Sequence, residues 1–488
     1  MFAVAKAATV LGVNGHIVDV EVDLARGLPS FEIVGLPDTA LRESRQRVRA
    51  ALKNQGYAFP MHRLTVNLAP GNLRKTGSAF DLAIALGILA AGGLIPENRL
   101  QDVLVLGELS LDGKIRGVGG VLPMAMAAVC EGITEALVPV DNGSEAGLVQ
   151  GLSAVVVQDL AEAVGVLTGC RSAAVPKPAE FLETGYSAVN DLSEVKGQLT
   201  ARRALEIAAA GRHNLLLVGP PGCGKTMLAR CLPGILPPLS NQEAVEVARI
   251  YSVANGGLGQ LKLTLAPPFR SPHHSSTKAG IIGGGLLPHP GEVTLAHRGV
   301  LFLDEVGEFG RSVLDVLRQP LEDGVVSLVR YGYSVKYPSE CQLVMAANPC
   351  PCGFLGSSIK ECTCTGREIA AYRRRLSGPL LDRIDLQVWM DALKPKDYHT
   401  KQESSDKVRK RVVAARKAGD NTCDTNLGPA DLSACARQIL ETAAERFRLS
   451  ARAVQKTIKV SRTVALLGQS CQIGAEHVAE ALTYRLSL

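Results

Sequence analysis

Three groups of residues in this chain have types and spacings that can do chemistry. The first is Gly219-Pro-Pro-Gly-Cys-Gly-Lys-Thr226, which fits G-x-x-x-x-G-K-[ST]. Its members, Gly219, Pro220, Pro221, Gly222, Cys223, Gly224, Lys225 and Thr226, are the candidate ATP-binding residues. Glycines at this spacing turn backbone N–H groups inward around a phosphate. Lys225 would then reach the β- and γ-phosphates, and the Thr226 hydroxyl would sit on Mg²⁺. The second group is Asp304-Glu305, at the end of Gly299-Val-Leu-Phe-Leu303. Asp304 would hold the magnesium ion's water shell, and Glu305 would orient or deprotonate an attacking water. The third is Cys350-Pro-Cys352 with Cys362-Thr-Cys364. Four thiols in so short a span suggest a Cys₄ zinc site, although C-x-C is tighter than the usual ligand spacing. Zinc and reduced loop cysteines both stand as readings.

These groups need strands and helices to place them. Leu215 to Val218 is a short apolar run that reads as a buried parallel strand feeding the glycine loop, and Met227 to Leu232 continues behind the loop as a helix. Leu343-Val-Met-Ala-Ala347 is a further core strand, ending at the polar Asn348. Arg311 to Gln319 reads as a helix stopped by Pro320. Val325 to Lys336 reads as a β-hairpin with its turn near Gly332. In the front part, Val18, Val20, Val22 and Leu24 alternate with polar residues as one face of a half-buried strand. Asp38 is a plausible N-cap for a basic helix through Leu41 to Leu52. Residues 171–190 lose periodicity and open with two prolines, as a linker does. Lys407 to Lys417 puts many positive charges on one helix, which suits a solvated face or a DNA contact equally.

Composition narrows the class. The chain has 488 residues, 46% hydrophobic, 20% charged and 4% aromatic, which suits a multidomain α/β protein. No apolar run reaches the roughly 20 residues that span a bilayer, and no membrane partner is expected. The first residues lack the pattern of a signal peptide, so a cytoplasmic location is expected. There the 12 cysteines would be reduced, and their clustering would point to metal rather than disulfides. A net charge of +6 permits a nucleic-acid partner without demanding one.

Several passages carry resemblances. Lys75-Thr-Gly-Ser-Ala-Phe-Asp-Leu-Ala-Ile-Ala85 resembles the segment around the nucleophile of Lon-type proteases, with Ser78 at the serine position. Gly107 to Gly120 resembles the strand pair before the Lon catalytic lysine, but Met124 falls where that lysine would be. A thioether cannot take a hydroxyl proton, and no other lysine lies between Lys114 and Lys177. The resemblance implies a Lon-like fold without proteolysis, with Ser78 as a small helix-start residue.

The order strand, glycine loop, helix, Asp-Glu, strand-end Asn348 resembles AAA+ ATPases. That resemblance implies that Asp191 to Gln198 lies against adenine and that Asn348 is the first sensor, bonding the γ-phosphate or the attacking water. Arg383, in Asp382-Arg-Ile-Asp385, would be a finger inserted into a neighbour's ATP site, or else a structural partner of Asp385. Arg452, in the first turn of a capped helix starting at Ser450, would be the second sensor, or else a solvated arginine. With Pro272-His-His274, Gly283-Gly-Gly285, Gly291 to His297 and the two C-x-C pairs, the chain resembles, over nearly its full length, the Mg-chelatase-like AAA+ family named YifB or ComM.

The resemblance implies four parts. Residues 1–170 would form a Lon protease-like (ribosomal S5 domain 2-like) α+β domain, 171–190 a linker, 191–392 an AAA+ P-loop α/β core, and 393–488 a helical lid. It further implies ATP and Mg²⁺ as cofactors and a homo-oligomer, a hexamer, acting on single-stranded or branched DNA. Branch migration in natural transformation, alongside recombination proteins, would be its task. Arg330 and Lys336 on the hairpin would then be the DNA contacts facing the pore. Two other functions compete: a chelatase-type motor remodelling a protein partner, against which the Lon-like front domain counts, and a Lon-like protease, against which the missing lysine counts.

Overall fold

In a computed structural model the described residues are 1–172, 174–176, 190–254, 264–285, 288–330, 333–357, 360–376, 378–393, 397, 400, 402–420 and 431–485. Most of the expected linker and the expected hairpin turn lie outside them. The chain divides into two compact units, Met1–Leu182 with Gln242–Leu263, and Glu183–Asn241 with Thr264–Leu488.

The first unit is built on a seven-stranded mixed sheet. Its strands are β1 (Phe2–Leu11), β2 (Asn14–Ala25), β3 (Ser30–Val34), β4 (Arg63–Ala69), β5 (Val103–Val105), β8 (Glu135–Pro139) and β9 (Ser153–Val157), with a small separate pair, β6 (Glu108–Leu109) and β7 (Ile115–Arg116). The order across the large sheet is β3-β4-β2-β1-β5-β8-β9. The alternation in β2 is real: Val18, Val20 and Val22 are fully buried and pack into the core with Val66 and Leu68 of β4. The helix Thr39–Asn54 is capped by Asp38, whose carboxylate accepts from the Leu41 amide at 2.8 Å. The helix Asp81–Ala91 is buried along its whole length. That burial takes Asp81 out of water, and Arg47 meets the carboxylate at 2.6 Å. The helix Asn241–Ala254, outside this unit in sequence, joins it in contacts. Ala248 packs on Leu122, Gly120 donates its amide to the Ser252 carbonyl at 3.1 Å, and the Ser252 hydroxyl donates to Glu145.

The second unit has a five-stranded, all-parallel sheet. Its strands are β10 (Leu215–Val218), β11 (Phe269–Arg270), β14 (Val300–Leu303), β17 (Gln342–Ala347) and β18 (Leu386–Trp389), in the order β11-β14-β17-β10-β18. The strand before the glycine loop is thus central, and β10, β14 and β17 are buried throughout, as their unbroken apolar runs require. Two ribbons lie apart from this sheet: β12 (Gly283–Gly284) with β13 (His289–Pro290), and β15 (Val325–Arg330) with β16 (Tyr333–Pro338). Four helices, Ser405–Asp420, Ala434–Arg446, Ala451–Leu467 and Ala475–Thr483, close the chain. Ser450 caps the third by accepting from Ala453.

Two local expectations need correction. Pro320 does not stop a helix; it sits in the first turn of Arg318–Asp323, where a missing N–H costs nothing. The helix behind the glycine loop also breaks at Cys231, dividing into Lys225–Arg230 and Leu232–Ile235, the second with Pro233 in its first turn.

Candidate functional site

The glycine loop joins β10 to the helix Lys225–Arg230. Gly222 and Gly224 have φ of +78° and +93°, and a Cβ at either would meet open space. The backbone conformation, not lack of room, requires glycine there. Lys225 reaches back over the loop, donating from Nζ to the Gly219 carbonyl at 2.7 Å and the Pro220 carbonyl at 2.9 Å. Its third partner is the Asn348 side-chain oxygen at 3.2 Å, so the end of β17 and the loop meet at one ammonium. Burial lowers the Lys225 pKa from its ordinary value, opposed by Cys223, Asp304 and Glu305. Burial likewise raises the Cys223 thiol, against the pull of Lys225. Gln198, from the segment expected against adenine, donates to the Cys223 carbonyl at 3.3 Å and the Asp391 carbonyl at 2.6 Å.

β14 delivers the acids. Thr226 Oγ1 donates to Asp304 Oδ2 at 2.8 Å, so the two candidate magnesium ligands are adjacent. A carboxylate and a hydroxyl are the hard oxygen donors that Mg²⁺ takes alongside waters and phosphate. Glu305 is exposed and has φ of +47°, a left-handed conformation that costs a β-carbon residue free energy. Its amide donates to Asp304 Oδ1 at 2.9 Å, leaving Oδ2 to Thr226. The loop, Lys225, Thr226 and Asp304 therefore fit a magnesium–nucleoside triphosphate. Bound there, a magnesium ion held by Thr226 and Asp304 would offset the charge that develops during phosphoryl transfer. Lys225 would hold the terminal phosphates, Glu305 would take or direct the proton of the attacking water, and Asn348 would position that water.

Tyr372, on the helix Gly366–Arg373, is a supporting residue that the sequence reading missed. It is buried, it lines the same cleft as Asn348, and it packs so closely on Gly307 that a Cβ there would lie 2.2 Å from the phenol oxygen. Beside Asn348 opens a cleft of about 730 Å³ lined by Val218, Tyr372 and the arginines Arg311, Arg318, Arg373 and Arg374.

The two distal arginines meet one carboxylate. Arg383 donates to the Arg318 carbonyl at 3.0 Å and the Pro379 carbonyl at 2.7 Å, and its remaining nitrogen pairs with Glu322. Arg452 lies 3.3 Å from the other oxygen of Glu322. The Arg383–Asp385 pairing is thereby corrected. Asp385 faces Lys456 at 3.0 Å and accepts from the Asn214 amide at 2.9 Å, because it precedes β18 and turns toward the start of β10. Neither arginine makes a recorded contact with the glycine loop.

The four cysteines converge. All four sulfurs lie within 4.8 Å of one another, and three of the separations are 3.4, 3.6 and 3.7 Å. A tetrahedron with Zn–S of about 2.3 Å has edges of about 3.8 Å, so the cluster fits zinc, and the two tight pairs are compatible because each supplies one edge. Every cysteine among the described residues is a free thiol.

In the first unit, Ser78 donates to Glu108, while Met124 is buried in an apolar cluster with Val121 and Ala128. On the hairpin, Lys336 is exposed on the face opposite Val326, Leu328, Val335 and Tyr337. The Arg330 side chain lies outside the described part. No helix among the described residues is long and apolar enough to cross a membrane.

Comparison with known proteins gives the same outline. Residues 191–398 match the family described as magnesium chelatase, subunit ChlI, and 402–485 match its C-terminal part. Residues 20–142 match the family described as subunit ChlI of Mg-chelatase, so the front region is not foreign to chelatase subunits, and the objection drawn from it falls. The chain is 42% identical to the uncharacterized protein YifB of Escherichia coli K12, over 97% of this chain and 95% of that one. It is 40% identical to the competence protein ComM of Haemophilus influenzae, over 99% and 97%. A 137-residue stretch is 28% identical to the Lon protease of Solibacter usitatus, covering 27% of this chain and 17% of that one, which supports a Lon-like domain. With near full-length likeness to YifB and ComM, and chelatase-type matches along its length, the chain belongs to the YifB/ComM family of magnesium-chelatase-like proteins.

Proposed function

We propose that this protein is an ATP-driven, ring-forming motor, a hexamer, that acts on DNA and promotes branch migration during recombination, as in natural transformation. The observation that carries the reading is the meeting of Lys225, Thr226, Asp304 and Asn348 at one end of a parallel sheet. Phosphate, magnesium and attacking water each have a residue suited to them. The competence name of the Haemophilus relative supports DNA as the substrate. Arg383 is the finger, supplied to the neighbouring subunit's nucleotide, and Arg452 is the second sensor. The exposed Lys336, with Arg330, faces DNA in the pore. The Cys₄ cluster holds a structural zinc ion in a reducing cytoplasm. The front domain is Lon-like without proteolysis, since Ser78 is bonded to Glu108 and Met124 brings no base.

The test is unwinding of branched DNA with and without ATP, using full-length protein and Lys225→Ala. Wild-type protein should separate the branches only with ATP, and Lys225→Ala should neither hydrolyse nor unwind. ATP hydrolysis unchanged in Lys225→Ala would remove the site assignment, and hydrolysis without DNA binding would favour the second reading. That reading, a chelatase-type motor remodelling a protein partner, is favoured by the ChlI matches along the chain.

A further inference from the structure

The cysteine cluster lies between the parts of the hydrolytic site rather than beside them. Cys350 follows Asn348 by two residues, at the end of β17. Cys364 immediately precedes Thr365, which opens the helix Gly366–Arg373 in a capping box with Glu368. That helix carries Tyr372, which lines the cleft beside Asn348. The cluster therefore ties together the two segments that flank Asn348, its own strand end and the helix of Tyr372. The loop between the cysteine pairs also touches the phosphate cradle. Gly353 has φ of +84°, and a Cβ there would fall 2.7 Å from Cδ of Pro221. The sulfurs are already held for a ligand: the Cys352 amide donates to Cys364 Sγ at 3.3 Å and the Leu355 amide to Cys350 Sγ at 3.4 Å. Such N–H···S bonds orient and stabilise metal-bound thiolates. Separations of 3.4–3.7 Å are far beyond the roughly 2.05 Å of a disulfide.

We propose that zinc on Cys350, Cys352, Cys362 and Cys364 is a clamp that holds Asn348 and the Pro221 turn in hydrolytic geometry, so that ATP hydrolysis depends on the zinc ion far more than nucleotide binding does. The inference rests on the ATPase reading above. On metal binding the thiols release their protons to solvent and the sulfurs coordinate as thiolates. Loss of the ion frees the 350–364 loop at both ends. Lys225 retains its loop carbonyls, so the phosphate cradle survives, while Asn348 loses its fixed position. A displacement on the order of 1 Å at such a group costs about 100-fold in rate.

The experiment uses full-length protein purified under reducing conditions, the same protein stripped by a zinc chelator and returned to excess Mg²⁺, and the Cys362→Ser/Cys364→Ser variant. Zinc content is measured by mass spectrometry, nucleotide affinity with a fluorescent ATP analogue, and kcat by phosphate release. Amide exchange is followed in peptides covering 219–226 and 343–353. The expected result is one zinc per chain, and on its loss a fall in kcat of about 100-fold with affinity changed less than about threefold. Exchange should rise in both peptides and reverse when zinc is restored. Absence of zinc, full hydrolysis by zinc-free protein, or unchanged exchange overturns the clamp. Loss of nucleotide binding together with the fold overturns it too, in favour of a general folding role. Zinc-loaded protein that shows the exchange coupling but hydrolyses no ATP would instead overturn the ATPase reading.

Discussion

Asn348→Ala separates positioning from binding more cleanly than any change in the loop. In the structure the Asn348 amide oxygen is one of four acceptors around Lys225, beside the Gly219 and Pro220 carbonyls and Cys223 Sγ at 3.8 Å. Removing it leaves the ammonium its two carbonyls and the sulfur, so the ground state loses one hydrogen bond, about 1 kcal/mol, which caps the effect on nucleotide affinity at roughly fivefold. On the sensor reading the cost to the transition state is larger, because a preorganised polar group aimed at the reacting water and phosphate is lost. Such groups are worth about 3–4 kcal/mol, which at about 1.4 kcal/mol per decade predicts a fall in kcat of about 10²–10³-fold. Steady-state phosphate release gives kcat and KM, and a fluorescent nucleotide titration gives Kd. The substitution leaves the backbone at 348 and the buried strand before it unchanged, so the fold should persist. A kcat within about threefold of wild type, or a loss confined to KM, would refute the sensor role, since only uniform binding would then have been removed.

Other perturbations address the remaining parts of the site. Arg383→Ala should lower kcat about a thousandfold, and mixing it with Glu305→Gln subunits should restore part of the activity if the finger acts on a neighbour; no rescue at any ratio would assign Arg383 a role within its own chain. Lys336→Ala should weaken binding to branched DNA uniformly across sequences and reduce the slope of log K against log salt by about 1, whereas an unchanged slope would exclude phosphate contact. His213 is fully buried against Thr463 at 2.7 Å, and burial lowers its pKa from 6.5 although Asp385 pulls upward and Lys456 and Lys459 push down. The unfolded chain therefore binds the proton first, and stability should fall as pH drops below about 6.5, toward the lower folded pKa. Thermal unfolding between pH 8 and pH 5 should show this dependence reduced in His213→Asn, and equal slopes would show that His213 is not the group responsible.

What the sequence made legible was local. Residues 219–226 specify their own backbone, because glycine at 222 and 224 is what the positive φ values need. Asp304 and Asn348 were readable because a buried parallel strand is an apolar run, and whatever polar residue ends it stands at the sheet's carboxyl edge. The sheet order came from the structure alone, whereas the Mg-chelatase-like family was legible from several motifs taken together, and the comparisons bear that out. The illegible parts were pairings across long separations. Glu322 meets Arg383 across 61 residues and Arg452 across 130, and nothing in its neighbourhood, Pro320-Leu-Glu-Asp323, marks it. Pairing with Asp385, the alternative to a finger role for Arg383, was suggested only by closeness in sequence, and the turn into β18 points Asp385 the other way. The cysteine spacing left zinc open for a related reason: only the fold shows that the two C-x-C pairs, ten residues apart, bring all four sulfurs within 4.8 Å of one another.

The convergence of Arg383 and Arg452 on Glu322 bears on how the site would be completed. Glu322 is 51% exposed and Arg452 is 62% exposed, so their pairing is a surface contact worth about 1 kcal/mol or less. Arg383 is more enclosed, and two of its three acceptors are backbone carbonyls that orient the guanidinium whether or not Glu322 is present. An arginine held by carbonyls but neutralised by an exposed carboxylate is aimed at little cost. A phosphate offers stronger charge-assisted bonds than Glu322 and can displace it. The glycine loop, by contrast, has its own cation, Lys225, and its acid, Asp304, with Asn348 beside them. The cleft beside Asn348 is also lined by Arg318, whose carbonyl Arg383 bonds, so the arginine-bearing segment borders that cleft while the Arg383 guanidinium is turned to Glu322. On our reading a second copy would bring Arg383 to the nucleotide of its neighbour, and repetition of that contact would make a ring.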